Sequence, residues 1–202
     1  MSKAEQSTKR LRIGLTGGIG CGKSTALEYF RGFGARTFDA DVAVRGLLEN
    51  DTETQSSVRS AFGERAFNAE GRVDRAALGK IVFGCSQALA TLESILHPRV
   101  RKAWQALLRS EHALVVVEIP LLFENNLQSE FDFTICLSVC REIQTHRLRG
   151  RGLSLSQIDL RRARQWSLGD KVRHADVVFV NEGNRDHLGD QVRELLRRRK
   201  IL

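Results

Sequence analysis

The sequence predicts an α/β fold in which a parallel five-stranded sheet is flanked by helices and carries a helical insert. Three observations support this class. A glycine-rich turn joins a strand-like segment to a helical one near the start of the chain. Helical periodicity then runs through residues 42–108 without a strong strand, and three further apolar, strand-like runs follow. Strands that alternate with helices are typical of a parallel sheet covered on both faces.

Each element follows from its local pattern. Short runs rich in apolar and β-branched residues are the predicted strands: 12–16, 35–39, 114–119, 133–137 and 177–180. The predicted helices outside the insert are 23–32, 141–151, 156–165 and 186–199. Within the insert, apolar residues recur at spacings of three and four, which indicates helices. Pro98 predicts that one helix ends there and another begins.

Composition narrows the class of protein. Of the 202 residues, 42% are hydrophobic and 28% are charged, an ordinary globular balance that excludes bulk disorder. No apolar stretch approaches the roughly twenty residues of a membrane span, and the first residues lack the apolar core of a signal peptide. The four cysteines do not have zinc-site spacing and are interpreted as reduced thiols. We therefore predict a cytoplasmic protein without a membrane partner.

The positive charge is concentrated in one segment. The net charge is +8, and residues 141–174 hold nine basic against three acidic residues, a local charge of +6. A general nucleic-acid binder usually spreads its basic residues over one face and interleaves aromatics, which make up only 6% of this chain. A local basic segment suits a small, highly charged anion, so nucleic acid is not predicted as a partner. The basic tail 197–200 is interpreted as a solvated helix end.

The glycine-rich turn carries the most specific chemistry. Residues 17–24, GGIGCGKS, fit the phosphate-binding pattern G-x-x-x-x-G-K-[ST] between a strand and a helix. Glycines let backbone N–H groups converge on phosphate oxygens, Lys23 would reach the β- and γ-phosphates, and Ser24 would hold Mg²⁺. The residues predicted to bind ATP in this turn are Gly18, Ile19, Gly20, Cys21, Gly22, Lys23, Ser24 and Thr25. The pattern thus indicates the P-loop NTPase type of fold, with a nucleoside triphosphate as ligand and Mg²⁺ as cofactor.

Other motifs separate kinases from GTPases. The sequence contains no N-K-x-D, and its D-x-x-G at residues 186–189 lies in the final helix, so a small-molecule kinase is favoured. Asp39 and Asp41 close the second strand, and in such sheets the strand ends face the ligand. From spacing alone, these carboxylates either accept a proton from an attacking hydroxyl or orient Mg²⁺ waters, or they simply cap the next helix.

The motifs taken together resemble one family. They are LTGGIG at 15–20, Asp39-Ala40-Asp41, LHPRV at 96–100, IPLLFE at 119–124, Arg147 with Arg151, Gln165, ADVV at 175–178 and NEG at 181–183. This combination closely resembles the dephospho-coenzyme A kinase family from about residue 11 to residue 196. The resemblance implies transfer of the γ-phosphoryl group of ATP to the 3′-hydroxyl of dephospho-CoA, the last step of coenzyme A biosynthesis.

The resemblance also implies a division of the chain. Residues 11–41, 112–140 and 175–202 would form the nucleotide-binding core, residues 42–111 the helical coenzyme A-binding insert, and residues 141–174 an arginine-rich helical lid. It implies ATP and dephospho-CoA as partners of a monomer, with weak self-association left open. Two alternatives remain at this stage. One is another small-molecule kinase of the same fold, acting on a nucleotide or sugar-like alcohol, and the other is a non-enzymatic or nucleic-acid-linked ATP-binding protein.

Individual roles follow from the matching positions. Asp41 matches the catalytic base, and its neighbour Asp39 is structural or contacts a metal-bound water. Arg147 and Arg151 match catalytic lid arginines, beside Lys23 of the loop.

Binding roles come from the same resemblance. The residues that it assigns to the acceptor, besides Asp39 and Asp41, are His97, Arg99, Leu121, Leu122 and Phe123. His97 could equally be a helix-end residue that packs on Pro98. Asn181 and Gly183 match the loop near the adenine of ATP. Glu118 or Glu124 would contact Mg²⁺ through water.

Overall fold

The computed structural model describes residues 10–83 and 85–201. The chain divides into two compact units, one formed by Met1–Asp39 with Ser110–Leu202 and the other by Ala40–Arg109. The first unit contains the sheet, and it includes residues 141–174. The second unit is helical. Asp39 and Ala40 are adjacent in the chain, so the sheet unit passes into the helical unit directly after the second strand.

The predicted parallel sheet is confirmed. The described residues of the first unit form five parallel strands: β1 (Leu11–Gly17), β2 (Arg36–Asp39), β3 (Leu114–Glu118), β4 (Phe133–Ser138) and β5 (Val177–Val180). Their order is β2-β3-β1-β4-β5. All residues of β3 are buried, as expected of a β-branched strand covered on both faces.

Helices occupy most of the chain between the strands. In chain order they are α1 (Lys23–Gly32), α2 (Ala40–Asn50), α3 (Thr52–Phe62), α4 (Arg75–Phe83), α5 (Ser86–Leu108), α6 (Arg141–Gly150), α7 (Leu155–Ala163), α8 (Leu168–His174) and α9 (Arg185–Arg198). Short 3-10 turns cover Glu64–Ala66 and Gln128–Glu130. Among the helices described, none has the length and apolar character needed to cross a bilayer.

The core of the sheet unit lies between the sheet and helices α1 and α9. Ile13 and Leu15 of β1 are fully buried in it, and the ring of Phe30 on α1 stacks on Phe179 of β5 with centroids 6.5 Å apart. Leu188 begins the buried face of α9. This packing holds the start of α1, and with it the glycine-rich loop, at the carboxyl end of β1.

Helix α8 is absent from the sequence prediction. It begins at a Ser167 cap whose Oγ accepts a hydrogen bond from the Asp170 N–H. The S-x-x-D spacing of these residues is a helix-start signal that could have revealed it.

The helical unit has its own core, built by Leu48, Val58, Phe62, Ala66, Leu78, Val82 and Leu96. The predicted break at Pro98 is wrong, because α5 continues through this residue. Proline removes one backbone donor and disturbs the hydrogen bonds of the preceding turn. In α5 the Arg99 Nη1 donates to the Ile95 carbonyl at 2.8 Å. The carbonyl that loses its usual donor to Pro98 is that of Ser94, one residue earlier, and α5 continues in spite of it.

Candidate active site

The glycine-rich loop occupies the carboxyl end of β1 and leads into α1. Gly22 is the N-cap of α1 and has φ of +92°. A Cβ at this position would lie 2.2 Å from Asn181 Nδ2, so both the backbone angle and the space require glycine. Because the cap is glycine, no side chain covers the N–H groups of the first turn, which point their partial positive charge outward. Such a helix start is suited to binding phosphate.

Lys23 is held over its own loop. Its ammonium nitrogen lies 3.2 Å from the Gly17 carbonyl oxygen and 3.3 Å from that of Gly18. It also lies 3.9 Å from Glu118 Oε1, and both side chains are largely buried. The ammonium group is therefore fixed at the carboxyl edge of the sheet.

Acidic and hydroxyl groups meet at the same edge. Glu118, the last residue of β3, is in register with Leu15 of β1 and Asp39 of β2. Ser24 is exposed in the first turn of α1. Carboxylate and hydroxyl oxygens are ligands that Mg²⁺ accepts, alone or through water. The described residues hold no group of three or more His, Cys, Asp or Glu side chains arranged to bind a metal.

Two residues from later elements complete the loop. Asn181 is buried, and its Nδ2 donates to the Cys21 carbonyl at 2.9 Å. Arg147, on α6, donates from Nη2 to the Asn181 carbonyl at 2.9 Å. Its Nη1 is buried and has no hydrogen-bond partner among the residues described. Arg151 is exposed just beyond the end of α6, and Gly183 is exposed beyond β5. The structure thus brings Arg147 and Asn181 to the loop and leaves Arg151 and Gly183 at the surface.

The tip of the loop is bonded by two glutamines. The Ile19 N–H donates to Gln165 Oε1 at 3.2 Å, and Gln144 Nε2 donates to the Ile19 carbonyl at 2.6 Å. Arg162 Nε in turn donates to Gln144 Oε1 at 2.8 Å.

A buried ion pair lies behind the loop. The Lys171 ammonium group is fully buried, 2.9 Å from Glu124 Oε1 and 2.6 Å from the Pro120 carbonyl oxygen. Burial lowers the pKa of Lys171, and the bond to Glu124 partly opposes this effect. Glu124 Oε1 also accepts from the Trp166 N–H at 2.7 Å. Glu124 therefore connects the segment after β3 to the residues around the start of α8.

The neighbouring apolar residues are mostly interior. Leu122 and Phe123 are 0% and 2% exposed, whereas Leu121 is half-buried. Phe123 stacks on Trp166 with ring centroids 6.4 Å apart. In this conformation only Leu121 of the three offers surface to an acceptor.

Cys21 lies within the loop and is fully buried. Burial raises the pKa of its thiol, the largest effect, while Lys23 acts in the opposite direction. The side chain therefore remains a protonated thiol at neutral pH, with little nucleophilic character.

The remaining candidate residues belong to the helical unit. Asp41 is exposed in the first turn of α2, and its carbonyl accepts from Arg45 Nε at 3.3 Å. His97 is exposed on α5. Arg99 forms an ion pair within the helical unit, with its Nε 3.8 Å from Asp51 Oδ2. Its contact with the Ile95 carbonyl makes it a structural residue of α5 as well.

Comparison with known proteins identifies the family. The family model for dephospho-CoA kinase matches residues 11–187. The chain belongs to the dephospho-CoA kinase family. It is 37% identical over 188 residues to the dephospho-CoA kinase of Thermobifida fusca, covering 92% of this chain and 94% of that protein. Members of this family are ATP-dependent kinases, and the kinase prediction is confirmed at that level.

Solved structures agree with the fold. The Thermus thermophilus protein TT1252 is 31% identical and superposes with a TM-score of 0.79, over 94% of this chain and 98% of that one. The dephospho-CoA kinase of Campylobacter jejuni is 27% identical, with a TM-score of 0.65, over 92% and 94% of the two chains. The P-loop kinase fold and the family resemblance are both confirmed.

Sequence reasoning missed two buried polar residues of this kinase. Gln144 was not singled out, although it lies four residues before Leu148 on the buried face of α6. Lys171 carried no signal beyond being a lysine in an arginine-rich segment. Both are recognised only from their partners in the folded chain.

Proposed function

We propose that the protein transfers the γ-phosphoryl group of ATP to the 3′-hydroxyl of dephospho-CoA, producing CoA and ADP. The observation that carries the proposal is the convergence of Lys23, Arg147 and Glu118 on the glycine-rich loop, in a chain of this family. Phosphoryl transfer depends mainly on positioned positive charge and on exclusion of water, and this edge of the sheet provides the charge.

The nucleotide would bind along the loop. Backbone N–H groups of residues 18–25 and the start of α1 would hold the phosphates, and Lys23 would leave its carbonyl partners for the β- and γ-phosphates. Ser24 would bind Mg²⁺ directly, with Glu118 or Asp39 contacting it through water. The ion would neutralise charge on the phosphates. Asn181 supports the loop from behind, and Gly183 would lie near the adenine.

The acceptor would bind through the helical unit. We assign Asp41 as the base that accepts the proton of the attacking hydroxyl, which requires an exposed carboxylate such as it has. His97 and the half-buried Leu121 would contact dephospho-CoA. Arg99 would act indirectly, because its guanidinium already supports α5.

The lid would supply positive charge that stabilises the transition state of phosphoryl transfer. The buried Nη1 of Arg147, beside Gly22, has no hydrogen-bond partner within residues 10–83 and 85–201, so it has a donor to offer to the transferring group. Arg151 would join it when residues 141–174 close over ATP. A monomeric state, a cytoplasmic location and the absence of nucleic-acid and membrane partners stay predictions.

A panel of acceptors tests the proposal. ADP release should be measured with dephospho-CoA, adenosine, shikimate and DNA added separately, each with Mg²⁺ and with excess chelator. We expect rapid release only with dephospho-CoA and Mg²⁺. Equal or faster release with another acceptor would reject the proposed substrate while retaining the kinase family.

A further inference from the structure

The tip of the phosphate loop is set by side chains from later elements. The Ile19 N–H and carbonyl are both hydrogen-bonded to side chains, to Gln165 Oε1 at 3.2 Å and from Gln144 Nε2 at 2.6 Å. Both glutamines come from beyond β4, 146 and 125 residues away from Ile19 in the sequence. The conformation of the tip is therefore set by residues far away in the sequence.

Gln144 has a central place in this arrangement. Its side chain is buried, at 6% exposure, and both ends of its amide are used. Nε2 donates to the Ile19 carbonyl, while Oε1 accepts from Arg162 Nε at 2.8 Å. Arg162 lies on α7 and also donates from Nη2 to Thr145 Oγ1 at 2.8 Å. A continuous chain of hydrogen bonds thus runs from α7 through Gln144 to the phosphate loop.

The geometry of the peptide bond gives this chain a consequence. In a planar trans peptide, the carbonyl and the following N–H point in opposite directions. By bonding the Ile19 carbonyl, Gln144 turns the Gly20 N–H away from α6. The Ile19 carbonyl is partly buried, and leaving it unpaired would cost free energy, so the hydrogen bond favours this orientation of the peptide.

We propose that Gln144 is a positioning residue that presets the N–H donors of the phosphate loop and, through Arg162, links their orientation to the position of α7. The proposal rests on the proposed function only in that the loop binds ATP. It adds that nucleotide affinity depends on a side chain that does not itself contact the phosphates. Ordering the loop before binding removes part of the entropy loss on binding.

A matched pair of substitutions separates the roles of the two glutamines. Gln144→Glu keeps the acceptor for Arg162 but cannot donate to the Ile19 carbonyl. Gln165→Glu makes the same chemical change and adds the same charge, yet retains the acceptor for the Ile19 N–H. The binding of MgADP and of a non-hydrolysable ATP analogue should be measured by calorimetry. We expect the nucleotide affinity of Gln144→Glu to be at least about tenfold lower than that of the natural protein. The loss of affinity in Gln165→Glu should be clearly smaller.

A double-mutant cycle tests the link to α7. We expect Arg162→Gln to weaken nucleotide binding by about threefold or more in the natural chain, and to have almost no effect when Gln144 is already Leu. The exposed Arg149→Gln, on the same helix as Gln144, is the control and should leave binding unchanged. Hydrogen exchange at residues 18–22 should be faster in Arg162→Gln than in the control, which keeps the test valid if Gln144 variants fold poorly.

These measurements use nucleotide alone, so they do not depend on which acceptor is correct. Equal losses in the two glutamate variants would overturn the proposal. So would an Arg162→Gln effect that is the same in both backgrounds, or lower melting temperatures with unchanged nucleotide affinity. If dephospho-CoA were not phosphorylated but the cycle behaved as expected, the positioning role would stand and the proposed function would fall.

Discussion

The buried Lys171–Glu124 pair provides a sharp test of the structure. Lys171→Met replaces the ammonium group with an uncharged chain of similar length. It would leave the Glu124 carboxylate with one backbone partner, the Trp166 N–H, and without its cation. Glu124 Oε2 already has no hydrogen-bond partner among the described residues. The substitution therefore leaves a mostly buried negative charge without a neighbouring positive charge.

Removal of one partner from a buried pair costs about 3–5 kcal/mol. The Glu124 side chain keeps 14% exposure, so the lower value, about 3 kcal/mol, is the better expectation. In a chain of this size, each kcal/mol lowers the melting temperature by about 2–4 °C, which gives a fall of roughly 6–12 °C. Chemical denaturation and thermal melting, both followed by circular dichroism, would measure the loss.

Two controls identify the cause of that loss. Lys171→Met combined with Glu124→Met removes both charges and should recover most of the stability. Arg173→Met removes an exposed ion pair with Asp170 from the same helix and should cost less than about 1 kcal/mol. The reasoning is refuted if the single Lys171 variant is no less stable than Arg173→Met, or if the double variant is as unstable as the single one.

The remaining predictions concern the reaction and one surface carboxylate. Lys23→Ala should lower turnover at least about a hundredfold in steady-state assays of the folded variant, because it removes charge aimed at the γ-phosphate. Asp41→Asn should lower turnover about a hundredfold with little change in either KM, and a larger loss in the matching Asp39 variant would reverse the two assignments. Arg147→Lys should lower turnover at least about tenfold although it keeps the charge, since lysine lacks the planar fork; full activity would argue against the lid role. Hydrogen bonds from neighbouring arginines lower the pKa of Glu194 from 4.5 to about 2, so its stabilising contribution is complete above pH 4.5 and lost as the pH falls towards 2. Carboxyl NMR titration should show this pKa rising in Arg198→Ala, and an unmoved value would contradict the pairing.

Regular patterns made much of the fold predictable. The strands follow from short β-branched runs such as the buried β3, and the loop follows from GGIGCGKS in its strand–helix context. Pro98 led to a wrong prediction because tertiary packing overrode the local rule for helix breaking: Leu96 and Val100, on either side of it, are buried. Helix α8 was missed because it is short, with only its Ser167 cap as a signal.

Residues of the site could be predicted only where they belong to a recognisable sequence motif. Lys23 belongs to a spacing pattern, whereas Gln144 and Lys171 are single polar residues whose meaning depends on distant partners. Ile19 and Gln144 are 125 residues apart in sequence. Leu122 and Phe123 show that a motif can also mislead. As apolar residues of a motif they were predicted to line the acceptor pocket, but in the folded chain both are buried. Tertiary partners, which no local pattern encodes, decide these cases.

The most direct test of the central claim is the position of the transferred phosphate. The protein should be incubated with γ-labelled ATP, Mg²⁺ and dephospho-CoA, and the product analysed by mass spectrometry and phosphorus NMR. We expect one labelled phosphate on the ribose 3′-oxygen for every ADP formed, in a product indistinguishable from CoA. Label on any other oxygen, or ADP formed with free phosphate and unmodified dephospho-CoA, would contradict the account.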